Sequence, residues 1–129
     1  MNDYKFSHHK AKDHEFVTKG LRGYFEYRDL GIEESTAGDF VAHVIRAKEG
    51  DNATGEWHQH DCTFQMVYIV AGWMEFEYEG QGVHRLEKGD CVFQRPKIAH
   101  REIRHSEDLE LVEIVAPADF ATKSIEPPA

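Results

Sequence analysis

The stretch Gln65–Gly80, "QMVYIVAGWMEFEYEG", constrains the fold more than any other part of the chain. In its second half Trp73, Glu75 and Glu77 alternate with Met74, Phe76 and Tyr78. A period of two belongs to a strand with one face on a core and the other outside. Gly72 separates this run from the apolar run before it, so the segment reads as two strands joined by a turn. The rest of the chain continues in the same way. "GYFEYRDL" (Gly23–Leu30), "FVAHVIRA" (Phe40–Ala47), "GVHRLEKGD", "CVFQRP", "AHREIRH" and "DLELVEIVAP" are short and are punctuated by Gly, Asp and Pro. Strong helix-period segments are absent. Strands repeating every ~8–12 residues indicate an all-β sandwich or barrel. Closing the sheet also protects aromatic-rich strands from edge-to-edge association.

At 129 residues the chain suits one core and is short for two ordinary domains. Residues 1–20 are polar and read as an N-terminal arm or loose edge strand, which leaves 21–129 as a single barrel domain. "GIEESTAGDF" reads as a polar connection and "KEGDNATGE" as a loop. Acidic residues outnumber basic ones, 24 against 15, for a net charge of −9. Such a surface repels phosphate backbones and anionic lipids, which argues against nucleic-acid and membrane partners. The charge-free apolar run Cys62–Met74 is too short to span a bilayer, and the first residues lack the apolar core of a secretory signal. Cys62 and Cys91 offer no disulfide framework, which fits a reducing cytoplasm.

His58 and His60 stand two apart at the start of a strand-like run. Residues i and i+2 of a strand face the same way, so two imidazoles can converge on one ion about 2 Å from each ring nitrogen. Gln65 follows after four residues and Gly72 after six more; farther on come Gly89, Pro96 and His100. This ordered set resembles the cupin superfamily, whose first motif is G-x5-H-x-H-x3-4-E-x6-G and whose second is G-x5-P-x-G-x2-H-x3-N. The chain departs from the pattern in five places. Asn52 sits where the first glycine is expected, and Gln65 replaces the glutamate. Six residues, not five, separate Gly89 from Pro96; the inner glycine is missing from "PKIAH"; and Arg104 stands where asparagine is usual.

The resemblance implies a jelly-roll-like barrel, usually a homodimer, with the two motifs on facing strands around one divalent metal ion (Fe, Mn, Ni or Zn). Carried over by position, the metal residues are His58, His60, Gln65 and His100. Small cupins that linearise unsaturated uronates look similar in using glutamine here. With neutral imidazoles and a neutral amide, the ion would keep its full +2 charge and favour an anionic small-molecule ligand. Strand parity from His100 puts Glu102 and Arg104 on the inward face, Glu102 as a general base and Arg104 as a clamp for a carboxylate. Parity from Gln65 sends Val67 and Ile69 inward, with Met66, Tyr68 and Val70 outward. His43 belongs to a segment that could enter the barrel. Two functions compete: a metal-dependent enzyme acting on a small organic acid, sugar acid or enol-like metabolite by isomerase, lyase or dioxygenase chemistry, and a non-catalytic ligand-binding or sensing module. Aromatic side chains of "GYFEYRDL" and "WMEFEYEG", expected outside, motivate the homodimer.

Overall fold

A computed structural model describes residues 3–18, 25–48 and 55–128. Within these residues ten strands follow in chain order: β1 (Phe25–Asp29), β2 (Val41–Ala47), β3 (His58–Asp61), β4 (Phe64–Ala71), β5 (Trp73–Tyr78), β6 (Gly82–Glu87), β7 (Cys91–Phe93), β8 (His100–His105), β9 (Glu110–Ala116) and β10 (Ala121–Ser124). Among the described residues, helix is confined to a 3-10 turn, Ala11–Asp13, and one short helix, α1 (Ile32–Ser35), inside the expected polar connection. Most of the expected loop at 48–56 lies outside the described residues.

The strands form two antiparallel five-stranded sheets, ordered β1-β2-β9-β4-β7 and β10-β3-β8-β5-β6. Alternation decides what each strand buries. Along β4, Gln65, Val67 and Ile69 are buried while Tyr68 and Val70 are exposed, as parity from Gln65 requires. Along β5, Met74, Phe76 and Tyr78 turn inward. They join Phe25, Ile45, Val67, Ile69, Leu86, Ile98, Leu109 and Leu111 in the core. Of the aromatics expected outside, Phe25, Phe76 and Tyr78 point inside, because the charged residues alternating with them need solvent more, while Trp73 stays on the outer face with the Arg85 guanidinium 3.9 Å from its ring. Glu75 and Glu77 lie on the outer face and pair with Arg104 and Arg101 across β5 and β8. The arm is tied down by Lys5 N–H donating to Ser35 O at 2.8 Å and by a bridge between Val17 and Tyr27.

One irregularity in β8 matters for the site. Opposite β5, Phe76 pairs with Glu102 and Glu75 with Arg104, so Ile103 is an extra residue. A bulge of this kind reverses parity beyond it. His100 and Glu102 point inward; past the bulge His105 goes inward and Arg104 outward. The inward position expected for Arg104 is thus corrected: its side chain is 65% exposed and its Nε donates to Glu75 Oε1 at 2.6 Å.

Candidate metal centre

His58 and His60 share a face of β3, and His100 of β8 is the cross-strand partner of His58. That single pairing brings the two distant motifs together. The ring centroids of His58 and His100 are 4.3 Å apart, and each lies 5.0 Å from that of His60. One nitrogen from each ring falls within 4.8 Å of the others. His58 and His100 are buried and His60 is partly buried.

The tautomers follow from the Nδ1 partners. His58 Nδ1 lies 3.1 Å from Glu56 O, and His100 Nδ1 lies 2.9 Å from Ile98 O. A carbonyl only accepts, so both Nδ1 atoms carry the proton and both Nε2 atoms carry the lone pair. His60 Nδ1 meets Thr122 Oγ1 of β10 at 2.8 Å. Such outer partners fix ring orientation and raise the basicity of the ligand nitrogen. Three oriented imidazoles would suit a borderline divalent ion such as zinc, iron, nickel or manganese. The donor set fits the group.

His60 and His100 open onto a cavity of about 370 Å³ between the sheets. Its apolar wall includes Phe25, Val67, Phe76 and Leu111. Gln65 also lines it, from β4 in the opposite sheet, and is only 2% exposed. Its Nε2 donates to Glu113 Oε2 at 2.8 Å. With the NH₂ end committed to a carboxylate, the acceptor end Oε1 is the one left for an ion or a bound water.

Sequence reasoning missed Glu113. On β9 it faces the cavity between inward Leu111 and Val115. It is the cross-strand partner of His43 on β2, and His43 is in turn the partner of Asp29 on β1. All three line the cavity, so a polar row runs across one sheet facing the imidazoles on the other. The signal was present in "LELVEIV", where an acid interrupts an inward apolar series at period two. His43 does enter the barrel, while Glu102 does not reach the cavity lining. Glu102 is buried, 2% exposed, with Oε2 bonded to His105 Nδ1. Among the described residues its Oε1 is the buried side-chain polar atom without a partner.

The sequence of residues 44–115, more than half of the chain, matches the family described as Cupin domain. No curated protein matches the chain by sequence. Among solved structures it is similar to KdgF from Halomonas sp., with 22% identity, TM-score 0.67, and coverage of 86% of this chain and 94% of that one. It is also similar to the polyketide cyclase RemF from Streptomyces resistomycificus, with 18% identity, TM-score 0.72, and coverage of 96% and 87%. A variant of Streptomyces PAC13 with uridine gives 11% identity, TM-score 0.67, and coverage of 97% and 95%. At these identities the likeness is one of fold.

Proposed function

Because the chain belongs to the cupin family, we propose that it is a metal-dependent enzyme that moves a proton on a small, oxygen-rich organic or sugar acid. His58, His60 and His100 hold the ion, with Gln65 Oε1 as the fourth protein donor. The observation that carries this reading is a cluster of three imidazoles, two of them tautomer-fixed by carbonyl partners, that opens through His60 and His100 onto a cavity shared with the Glu113 carboxylate. When bound, the ion supplies Lewis acidity toward a substrate oxygen. Glu113 supplies what a purely structural site would not need, a proton acceptor in the same cavity. His43, beside it in register, is placed to exchange that proton onward. The apolar wall excludes water from the reacting carbon. That RemF is a polyketide cyclase and PAC13 is solved with uridine supports small-molecule chemistry in this fold. The competing reading, a sensing module, leaves the Glu113–His43 row without a purpose.

The test combines metal content with turnover. We expect about one divalent ion per chain after reconstitution, with a rise in Tm that His60→Ala abolishes. Unsaturated uronates and β-hydroxy acids, assayed with and without oxygen, should be turned over independently of oxygen. Glu113→Gln should keep the ion and lose about 10²-fold or more in kcat, the usual share of a general base. Wild-type protein that cannot be loaded with metal sinks the metal centre; full activity in Glu113→Gln sinks the assignment of the base.

A further inference from the structure

A second glutamine lines the same cavity. Gln94 follows β7, is 3% exposed, and its backbone N–H donates to Gln65 O at 2.9 Å, so the two amides are neighbours. Its side-chain oxygen accepts a hydrogen bond of 2.7 Å from the Tyr78 hydroxyl. Tyr78 is held in turn: its ring packs in the core, with the His100 ring 5.8 Å away. In this pair the hydroxyl is the donor, since an amide oxygen can only accept. An amide whose oxygen is occupied by a donor can turn only its NH₂ toward the cavity. Gln94 is thus the mirror of Gln65. Glu113 takes the NH₂ of Gln65 and leaves an acceptor; Tyr78 takes the oxygen of Gln94 and leaves a donor.

We propose that Gln94 Nε2 is an oxygen-recognising donor that binds the carboxylate of the ligand beside the imidazole cluster, with Tyr78 as the residue that sets its orientation. This rests on the cavity being the site of chemistry, and it names the group that receives the carboxylate of the acid substrate proposed above. Such a ligand would meet the positive charge of the divalent ion beside the imidazoles, while Asp29, Glu33 and Glu113 are the acidic residues that line the same cavity. A donor bonded to a carboxylate gains the strength of a charge-assisted bond.

The experiment is an NMR titration with acetate of zinc-loaded and of metal-free protein, following the Gln94 side-chain amide, which is identified by its loss in Gln94→Leu. The amide resonances should shift in both wild-type forms. Gln94→Leu should weaken acetate binding about tenfold or more, as loss of a hydrogen bond to a charged group implies. Gln94→Glu keeps an acceptor for Tyr78, and so preserves the packing, but turns a carboxylate oxygen to the cavity and should weaken acetate further. Tyr78→Phe keeps the donor yet frees its orientation, and should fall between wild type and Gln94→Leu. Zinc affinity, measured separately by calorimetry, should be unchanged in Gln94→Leu and Tyr78→Phe. Unmoved amide resonances, or acetate affinity in Gln94→Leu and Gln94→Glu within threefold of wild type, overturns the proposal. Failure of zinc to bind overturns the metal centre alone, because the metal-free titration still reports on Gln94.

Discussion

At the scale of single residues, the cavity is organised by which end of each polar side chain is already spoken for. The carbonyl partners of His58 and His100 select the tautomer with the lone pair on Nε2, and Glu113 selects which end of Gln65 is left for the cavity. This changes the meaning of glutamine at position 65. It does not leave the centre free of carboxylate; it lets a carboxylate from β9 sit beside the centre as a neighbour. Gln65→Glu would place two carboxylates within hydrogen-bond distance, and they can coexist there only by sharing a proton. The raised pKa of such a pair means that the folded, metal-free variant binds a proton that its unfolded chain releases. Its stability therefore rises as pH falls toward the ordinary carboxylate range. We expect Gln65→Glu to lose about 5–10 °C in Tm at pH 7 in the metal-free form, a deficit that shrinks toward pH 5. A pH-independent deficit in calorimetric melts would reject the pairing. Of the imidazole cluster, the shared direction of His58 and His60 was legible from their strand spacing, and the place of His100 beside them from the resemblance to the cupin motifs. Glu113 was not, because its partner Gln65 is 48 residues away and only the β4–β9 register joins them.

At the scale of elements, the parity of a strand can be read only as far as its regularity lasts. On β4 the prediction holds from Gln65 to Ile69 because the pairing with β9 is continuous there. On β8 it fails after Glu102, because Ile103 is extruded and nothing in "HREIRH" marks a bulge. The β4–β5 turn is the opposite case, where one glycine in the sequence carries a strict steric demand. Gly72 has φ +71, and a Cβ there would lie 2.7 Å from Asp108 Oδ1 and 2.8 Å from Leu109 Cα, and would meet Ser106 Oγ as well. Leu109 is 1% exposed and belongs to the core, so its backbone cannot retreat. Gly80 has a similar φ of +73, but a Cβ there would meet nothing within 4 Å. Gly80→Ala should therefore cost only the left-handed strain of about 1 kcal/mol, whereas Gly72→Ala should cost about 3 kcal/mol or more. Denaturant unfolding of the two variants measures the contrast, and equal losses would show that the β4–β5 turn tolerates what its contacts forbid.

At the scale of the whole molecule, the two sheets present different outer faces. That of β5, β6 and β8 is laced with charge: Arg104 and Arg85 reach Glu75, and Arg101 reaches Glu77. That of β4 and β7 is apolar. Phe93 is 58% exposed, Tyr68 42% and Val70 40%, and the Phe64 ring lies 5.7 Å from that of Phe93. An uncharged aromatic patch at a sheet edge is the part of this surface that gains most from being covered. Each chain carries a net charge of −9, so two copies repel at long range and can meet only where charge is sparse. We expect a homodimer through the β4–β7 face, not through the aromatic segments of β1 and β5, where Phe25, Phe76 and Tyr78 are buried and Trp73 is covered by Arg85. Sedimentation at about 50 μM should show the dimer, within the range of micromolar association. Its affinity should rise with salt between about 50 and 300 mM, the concentrations where screening shortens to several ångströms. Phe93→Asp should weaken association about 30-fold or more, as loss of a buried aromatic anchor does, while Arg104→Glu on the opposite face should leave it unchanged. A wild-type chain that sediments as a monomer, or a dimer that survives Phe93→Asp but not Arg104→Glu, would put the contact elsewhere.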